Sequence, residues 1–592
     1  MNINERITAL RKLMKKKGFT AYIIPSSDAH LSEYVAEHWQ SRKWISGFTG
    51  SAGTVVITLE KSGLWADGRY FIQAENQIKN TEIKLFKIGI PGYPTYQKWI
   101  CDELKENEIV GIDGSVFSVN DVKKIKKEFD ESGLNLNSDF DLINEIWQDC
   151  PAIPTSEVFI HDVKFAGKSR TEKFTEIRED MKKQKLDYHL LTSLDDIAWT
   201  FNLRSNEIDN SPVTISFAVI GLDSAHLFIN PLKINETVKE ALRASAVDLH
   251  PYEEIAEFLA KLEPEKSILI DPNRTNIKLK NAIPHECRII EKRNLTTLMK
   301  SMKNNVEINN LKTCQIRDGV AMVKFLYWLD ENNGKIKITE MSAAKKLAEI
   351  RSKGKNFVDL SFTSISAYMA NAAMMHYSPS HENETELKPE GFYLIDSGGN
   401  YLDGTTDITR TVCLGPVSDV MKRDFTLVLM SHIDLSQAHF LKGSTGANLD
   451  ILARHPMWQE GLDYKCGTGH GVGFFLNVHE GPQNFSQHLI NVPLKPGMIT
   501  TNEPGIYKEN QYGIRTENTL LCVEDQKTDS GQFYKFEVIS FCPIDLDAIL
   551  PEMLSKKQRD WLNDYHQEVY KKLSFHLDEE ERKWLKIQTR EI

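Results

Sequence analysis

The sequence of 592 residues lacks several features that would have placed it in a special class. It has no run of roughly 18 apolar residues, so neither a membrane helix nor a membrane partner is expected. The eight cysteines are scattered and form no CxxC pair, which is typical of a reducing cytoplasm. The net charge of −11 argues against a nucleic-acid partner. The N-terminal segment is polar and amphipathic, so no secretory signal is expected.

An internal repeat organises the first half of the chain. Residues 5–28 match residues 172–195 at an offset of 167, which aligns Leu10 with Ile177 and leaves Met14 opposite a second methionine. In each copy an apolar stripe at helical spacing leads into a short apolar run, as at the start of an α/β unit. The repeat therefore predicts two related α/β domains in tandem.

The chain of 592 residues exceeds what one core can hold, because single cores stop growing at roughly 250–300 residues, so two to four domains are expected. Pro151 and Pro154 interrupt the periodic pattern and suggest the first boundary. Residues 295–310 read as one linking helix into a third domain, and residues 551–592 as amphipathic helices. The predicted domains span residues 1–153, 154–305 and 306–592.

Two aspartates in the third domain occupy neighbouring strand-like segments. A buried apolar run ends at Asp396, and after a Ser-Gly-Gly-Asn turn a second strand carries Asp407 and Thr409 on one face. Carboxylates on neighbouring strands can reach a common point. The alternative is that both aspartates cap turns, as Asp often does.

Two histidines lie in the glycine-rich stretch 466–482. His470 sits among four alternating glycines, which allow the close backbone approach that a buried ligand histidine needs. His479 follows nine residues later, and on its own it also fits a structural role. A third histidine, His376, lies near the end of an apolar helix or strand.

Two glutamates complete the set. Glu503 ends a strand-like run and Glu517 lies fourteen residues later on the next one. A buried carboxylate is costly unless it is paired or bound to a cation. Four carboxylates would repel one another without cations, whereas two divalent ions ~3.5–4 Å apart are a device for hydrolysis. The oxygen-rich set suits Mn²⁺, with Co²⁺ or Zn²⁺ as alternatives. The candidate metal ligands are Asp396, Asp407, His470, Glu503 and Glu517.

The order of these segments along the chain resembles that in the pita-bread metallopeptidases. Within that family, it is most similar to the three-domain aminopeptidases P. The motifs are the Asp pair eleven residues apart, GxGHGxG, NEPGxY and RxEN. The similarity extends to RKWISGFTGSAGT at 42–54, WADGRYFIQA at 65–74 and SLDDIAWTFNLR at 193–204. It thus covers nearly the whole chain.

The resemblance implies an α/β (α+β) architecture, with two creatinase-like domains followed by a C-terminal pita-bread catalytic domain. It implies an Xaa-Pro aminopeptidase, in which a metal-bridging hydroxide cleaves the bond between an N-terminal residue and a penultimate proline. Short peptides with proline at the second position would be the substrates. A manganese-dependent, cytoplasmic homodimer is the corresponding expectation.

The resemblance also assigns roles to individual residues. Among the metal ligands, Asp407 and Glu517 would bridge both ions, Asp396 would complete one of them, and His470 with Glu503 the other. Glu503 would also shuttle a proton to the leaving nitrogen. The residues implied to contact substrate or to orient the carboxylates are His376, His479 and Arg515.

One position departs from the family pattern. Many aminopeptidases P have a histidine where this chain has Cys466, a weak hydrogen bonder to which we assign no role.

Three other functions stay open. A prolidase shares the metal ligands but follows a shorter, two-domain plan. A metal-free binding protein on the same scaffold would lose ligands, and a creatinase-like hydrolase works without metals.

Overall fold

The computed structural model describes residues 1–381 and 383–592. The chain divides into two compact units. The first contains Met1–Ile160, Lys168–Asp209 and Val213–Thr296, and the second contains His161–Gly167, Asn210–Pro212 and Thr297–Ile592. The predicted domain limits at 153 and 305 stay predictions. Within the part of the chain that the structure describes, no helix combines the length and apolarity needed to cross a bilayer.

The predicted repeat is confirmed in the first unit. Helix Ile3–Lys17 leads into strand Ala21–Pro25, and helix Arg170–Gln184 leads into strand Tyr188–Leu191. Each helix begins with a capping box, in which an Asn or Ser side chain and a Glu three residues later satisfy free backbone N–H groups. The aligned apolar side chains of both helices are buried, as the helical stripe requires.

Each repeat builds a six-stranded mixed sheet, and the two sheets have the same strand order. The strands of the first lie in the order Lys84–Lys87, Ser62–Ala66, Thr54–Thr58, Ala21–Pro25, Ile109–Ile112 and Asn135–Asn137. The strands of the second lie in the order Asp248–His250, Ala225–Ile229, Ser216–Gly221, Tyr188–Leu191, Ser267–Ile270 and Arg288–Glu291.

Helices cover these two sheets. These α-helices of the first unit are Ile3–Lys17, Ser41–Ser46, Phe71–Ile78, Tyr96–Glu103, Val119–Glu131, Leu142–Ile146, Arg170–Gln184, Leu194–Phe201, Glu236–Arg243, Ile255–Ala260 and Ile277–Ala282. Their apolar faces and the strands form buried clusters, one of which includes Ile23 and Val110 from the first sheet with Leu190 and Ile268 from the second.

A buried ion pair in the first unit gives a stability prediction. The Lys233 ammonium lies 2.7 Å from a Glu207 carboxylate oxygen, and the side chains are 1% and 0% exposed. Lys233→Met would leave Glu207 as an unpaired buried carboxylate, which costs about 3–5 kcal/mol in such pairs. We expect the midpoint temperature of the first unfolding transition, measured by calorimetry, to fall markedly. Lys61→Met, which breaks the exposed pair with Glu103, should cost less than about 1 kcal/mol, and equal shifts for the two variants would contradict the prediction.

The second unit is built from small antiparallel sheets and ribbons. Its largest sheet orders His439–Leu441, Gly531–Val538, Asn518–Thr528 and Ile499–Asn502. There are also two three-stranded sheets. The strands of one lie in the order Phe357–Leu360, Gly399–Tyr401 and Gly404–Thr405. The strands of the other lie in the order Ile365–Tyr368, Phe392–Ser397 and Ile408–Cys413. Two-stranded ribbons pair Gly469–His470 with Asn484–Phe485 and Gly505–Lys508 with Tyr512–Arg515.

Helices pack around these sheets. They include Asn305–Asn332, Glu340–Ser352, Asp419–Ser436, Gly446–Gln459, Lys556–Leu573 and Glu579–Gln588. The last two confirm the predicted C-terminal helices. The prediction of one linking helix at 295–310 is wrong, because Leu295–Ser301 ends before a second helix begins at Asn305. Asn304 caps that second helix together with Glu307, so the chain restarts the helix there.

Candidate metal centre

Asp396 and Asp407 are brought together by strand pairing, as predicted. Strand Phe392–Ser397 pairs antiparallel with Ile408–Cys413, and Asp396 lies opposite Thr409. Asp407 directly precedes the second strand, so both carboxylates are buried at the same end of the pair. Their position in a buried sheet, and not in an exposed turn, disfavours the capping alternative.

His470 occupies a place where backbone segments touch. A Cβ on Gly469 would lie 1.9 Å from the Thr501 carbonyl oxygen, and one on Gly471 would lie 2.0 Å from that of Glu480. Only glycine fits at both positions, which confirms the predicted close approach. His470 Nδ1 lies 2.9 Å from the Gly471 carbonyl oxygen, to which it can donate its proton. This tautomer leaves the Nε2 lone pair available to a cation.

Glu503 and Glu517 flank a second pair of strands. Ile499–Asn502 pairs with Asn518–Thr528, and the register places Asn502 opposite Asn518. Glu503 therefore follows one strand and Glu517 precedes the other at the same end. The backbone N–H of Glu503 donates to the Thr468 carbonyl oxygen at 2.7 Å, which joins this end to the glycine-rich segment.

These elements converge on one cluster. One ligand atom each from Asp407, His470 and Glu517 lies within 4.8 Å of the other two, and no other trio of potential ligands among the described residues meets this distance criterion. His470 Nε2 lies 3.3 Å from Asp407 Oδ2 and 3.6 Å from Glu503 Oε1. Asp396 Oδ1 and Glu517 Oε1 are buried without a hydrogen-bond donor. Buried carboxylate oxygens that lack donors are suited to cations.

The electrostatics point the same way. Burial raises the pKa of Asp396 and Glu517 above the ordinary range, and the neighbouring Asp407 adds to both increases. Burial raises the pKa of Glu503 to about 7, even though His470 and Arg515 oppose the rise. Burial alone would lower the pKa of His470, but Asp407 and Glu503 raise it to about 9. Without cations the cluster therefore retains protons, which bound divalent ions would displace. The residues present fit such ions.

Arg515 compensates part of the negative charge. It is 3% exposed, so it is not a surface arginine. Its Nη2 donates to Asp396 Oδ2 at 2.5 Å, its Nη1 to the Tyr507 hydroxyl at 2.8 Å and its Nε to Thr409 Oγ1 at 3.2 Å. Thr409 Oγ1 in turn donates to Glu517 Oε2 at 2.8 Å. Arg515 thus fixes carboxylates from both strand pairs.

The remaining candidates lie in loops. The His479 ring stands perpendicular to that of His470, with 4.2 Å between centroids. His376 follows the short helical turn Met369–Ala373 and is exposed, and its contact with substrate stays a prediction. Burial, with a contribution from Glu503, raises the pKa of the Cys466 thiol to about 12, so this group is neutral at ordinary pH.

Sequence reasoning missed the supports behind the glutamates. Arg410, 1% exposed, donates to the Glu517 carbonyl oxygen at 2.5 Å, to Asn518 Oδ1 at 2.9 Å and to the Tyr565 hydroxyl at 2.9 Å. The buried His432 accepts at Nε2 from Asn518 Nδ2 at 3.1 Å. Nothing in the sequence indicated that Arg410 is buried, because alternation places it on the opposite face of the strand from Thr409 and Thr411.

The sequence matches four family models. Residues 6–144 and 149–307 match two models described as the creatinase/prolidase N-terminal domain. Residues 309–524 match metallopeptidase family M24, and residues 532–592 match the C-terminal region of that peptidase family.

Relatives match over the full length. A protein of Paracoccidioides lutzii named probable Xaa-Pro aminopeptidase P is 38% identical over 100% of both chains. Its namesake in Botryotinia fuckeliana is 39% identical over 99% of this chain and 92% of its own. The crystal structure of an X-prolyl aminopeptidase from Caenorhabditis elegans, described as a cytosolic enzyme with a di-nuclear active site, covers 100% of both chains with a TM-score of 0.95 and 33% identity. The chain therefore belongs to metallopeptidase family M24, with the creatinase-like N-terminal domains and the pita-bread catalytic domain of its full-length relatives.

Proposed function

We propose that this chain is a metal-dependent Xaa-Pro aminopeptidase that releases the N-terminal residue from peptides with proline at the second position. The observation that carries the proposal is the convergence of Asp407, His470 and Glu517 in a buried cluster, within a chain that matches aminopeptidases P from end to end. The full-length match supports this function over prolidase, whose predicted plan is shorter. The intact ligand set argues against a metal-free scaffold.

The cluster would hold two divalent ions, a number supported by the di-nuclear site of the Caenorhabditis elegans neighbour. Asp407 and Glu517 would contact both ions, Asp396 would complete one site, and His470 with Glu503 the other. Mn²⁺ suits this carboxylate-rich set, with Co²⁺ or Zn²⁺ as alternatives. When bound, the ions supply Lewis-acid polarisation of the scissile carbonyl and a water of lowered pKa.

The chain's own groups would handle protons and charge. Glu503 accepts a proton from the attacking water at its carboxylate and passes it to the proline nitrogen as the bond breaks. His479, beside His470, and His376 donate hydrogen bonds to the oxygen that gains charge at the scissile carbon. Arg515 holds Asp396 in place through its hydrogen bond. The free α-amine of the substrate pairs with the carboxylate cluster, which restricts cleavage to N-terminal residues.

The location and assembly of the enzyme complete the proposal. We place the enzyme in the cytoplasm, in line with the description of its structural neighbour as cytosolic and with the scattered cysteines, all eight of which are free. We also propose a homodimer as the assembled form, which sedimentation velocity would test directly: a species near twice 67.7 kDa is expected.

Substrate length separates aminopeptidase from prolidase. Ala-Pro-Ala should be cleaved to free alanine with kcat/KM at least about 100-fold above that for Ala-Pro. The tripeptide offers a further peptide bond and residue beyond proline, and binding contacts made there can stabilise the transition state, whereas the dipeptide lacks them. Release of alanine followed by chromatography measures both reactions. Ala-Ala-Ala serves as the control for proline. Preferential cleavage of Ala-Pro would replace the proposal with a prolidase.

A further inference from the structure

A buried charge cluster lies directly behind the His479 loop. The carboxylate of Glu480, the next residue, accepts a hydrogen bond from the Lys303 ammonium and lies 3.2 Å from the Lys300 ammonium. All three side chains are 1% exposed. We name Lys300, Lys303 and Glu480 the lysine clamp. Its two cations come from the segment that precedes the helix Asn305–Asn332, far from the catalytic motifs in sequence.

Backbone contacts fix both ends of the clamp. The Lys303 N–H donates to the Gly497 carbonyl oxygen at 2.9 Å, at the turn before the strand Ile499–Asn502, which Glu503 follows. The Glu480 N–H donates to the Gly471 carbonyl oxygen at 2.7 Å, next to the ligand His470. The clamp therefore connects the strand that leads to one ligand with the loop beside another.

Stability alone does not account for such a cluster. Buried ions lose their hydration, and well-packed apolar residues of similar size are often equally or more stabilising. The charges instead fix the orientation of the Glu480 side chain. Its carboxylate must lie between the two ammonium groups, and this constrains the backbone position of residue 480.

We propose that Lys300 and Lys303 are positioning residues that hold His479 against the metal centre by fixing Glu480. The inference rests on the role of His479 in the proposed function. The His479 ring is held perpendicular to that of His470, at 4.2 Å, and the loop carrying it is fixed to the backbone at Gly471. A displacement of about 1 Å at such a site is enough to lower the rate about 100-fold.

Two variants test the clamp. The triple variant K300M/K303M/E480L replaces all three charges with apolar groups, and its thermal midpoint is measured beside its activity to establish that it folds. Glu480→Asp keeps every charge but shortens the reach of the carboxylate, and it covers the case in which the triple variant does not fold. For both we expect kcat to fall about 100-fold, with KM within about threefold and metal content unchanged.

The matched control breaks an exposed pair in the same unit. Lys312 and Glu537 lie 2.8 Å apart and are 37% and 46% exposed, and the variant K312M/E537M should retain wild-type kcat and KM. If Glu480→Asp and the folded triple variant also retain wild-type kcat, the inference is overturned.

A double-mutant cycle separates positioning from general support of the fold. His479→Ala should lower kcat by about 10³-fold, and adding Glu480→Asp should then cause no further loss, because the clamp acts through the missing side chain. An equal further loss in the His479→Ala background would overturn the inference while leaving the proposed function intact. Wild-type activity of His479→Ala alone would instead remove the proposed role of His479, and the inference with it.

Discussion

Asp407→Ala is expected to lower kcat/KM for Ala-Pro-Ala by more than about 10³-fold, because loss of a ligand should exceed the 10–100-fold typical of outer-shell changes. Asp407 lies at the centre of the cluster, 3.3 Å from His470 Nε2 and within 4.8 Å of a Glu517 oxygen. Metal content, measured by atomic emission on purified protein, should fall below that of the wild type in parallel.

The stability of the metal-free form distinguishes a lost ligand from a lost fold. The charge of Asp407 raises the pKa of Asp396, Glu503 and Glu517, so these carboxyl groups repel one another in the absence of cations. Removing one carboxylate relieves that repulsion but also removes a partner of the His470 imidazole. The two effects oppose each other, so the metal-free variant should unfold close to the temperature of the metal-free wild type. Activity within tenfold of wild type would contradict the assignment of Asp407.

A second buried aspartate in the same segment offers a matched control. Asp403 is 4% exposed and receives two hydrogen bonds from Arg317, at 3.0 and 2.8 Å, outside the cluster. Asp403→Ala should lower the thermal midpoint, because it leaves Arg317 without its partner. The folded fraction should keep wild-type metal content. Equal loss of metal from both variants would show that any damage to this segment empties the centre.

The positions of the candidate carboxylate ligands could be predicted from sequence because each lies at or next to an end of a strand. Asp396 is the last residue but one of Phe392–Ser397 and Glu503 directly follows Ile499–Asn502, so alternation and turn residues indicated which way each carboxylate points. The repeat was predictable for a similar reason. Both copies bury the same helical positions, and the helix-to-strand order of a local α/β unit is written in consecutive residues.

The supporting residues could not be predicted because they depend on distant segments. Arg410 is buried by carbonyl oxygens of residues 542 and 543 and by the Tyr565 hydroxyl, more than a hundred residues along the chain. Lys300 and Lys303 belong to the segment predicted as a linking helix, and nothing in their local sequence indicates that the fold buries them against Glu480. Periodicity reports which face of an element is buried and is silent on which distant polar group meets it there.

Removal of divalent metal should abolish hydrolysis of Ala-Pro-Ala, by more than about 10³-fold in kcat. The physical reason is that the ions supply Lewis-acid polarisation and an activated water. Without them, the raised pKa values of Asp396, Glu503, Glu517 and His470 favour retention of protons in the cluster. Dialysis against chelator, followed by titration with Mn²⁺, should restore activity at two equivalents per chain. Mn²⁺ should restore more activity than Zn²⁺ or Co²⁺ if it is the native ion.

Metal should also stabilise the fold, and this readout is independent of turnover. Ions that bind only the native state add about 2.7 kcal/mol per site at a concentration of 100 times Kd. In metal-free protein Asp396 Oδ1 and Glu517 Oε1 are buried without donors, so cations satisfy groups that otherwise destabilise the native state. The thermal midpoint should therefore rise with Mn²⁺ concentration and stay constant in Asp407→Ala. Full activity after chelation, with no shift of the midpoint on adding Mn²⁺, would favour a metal-free hydrolase on the same scaffold.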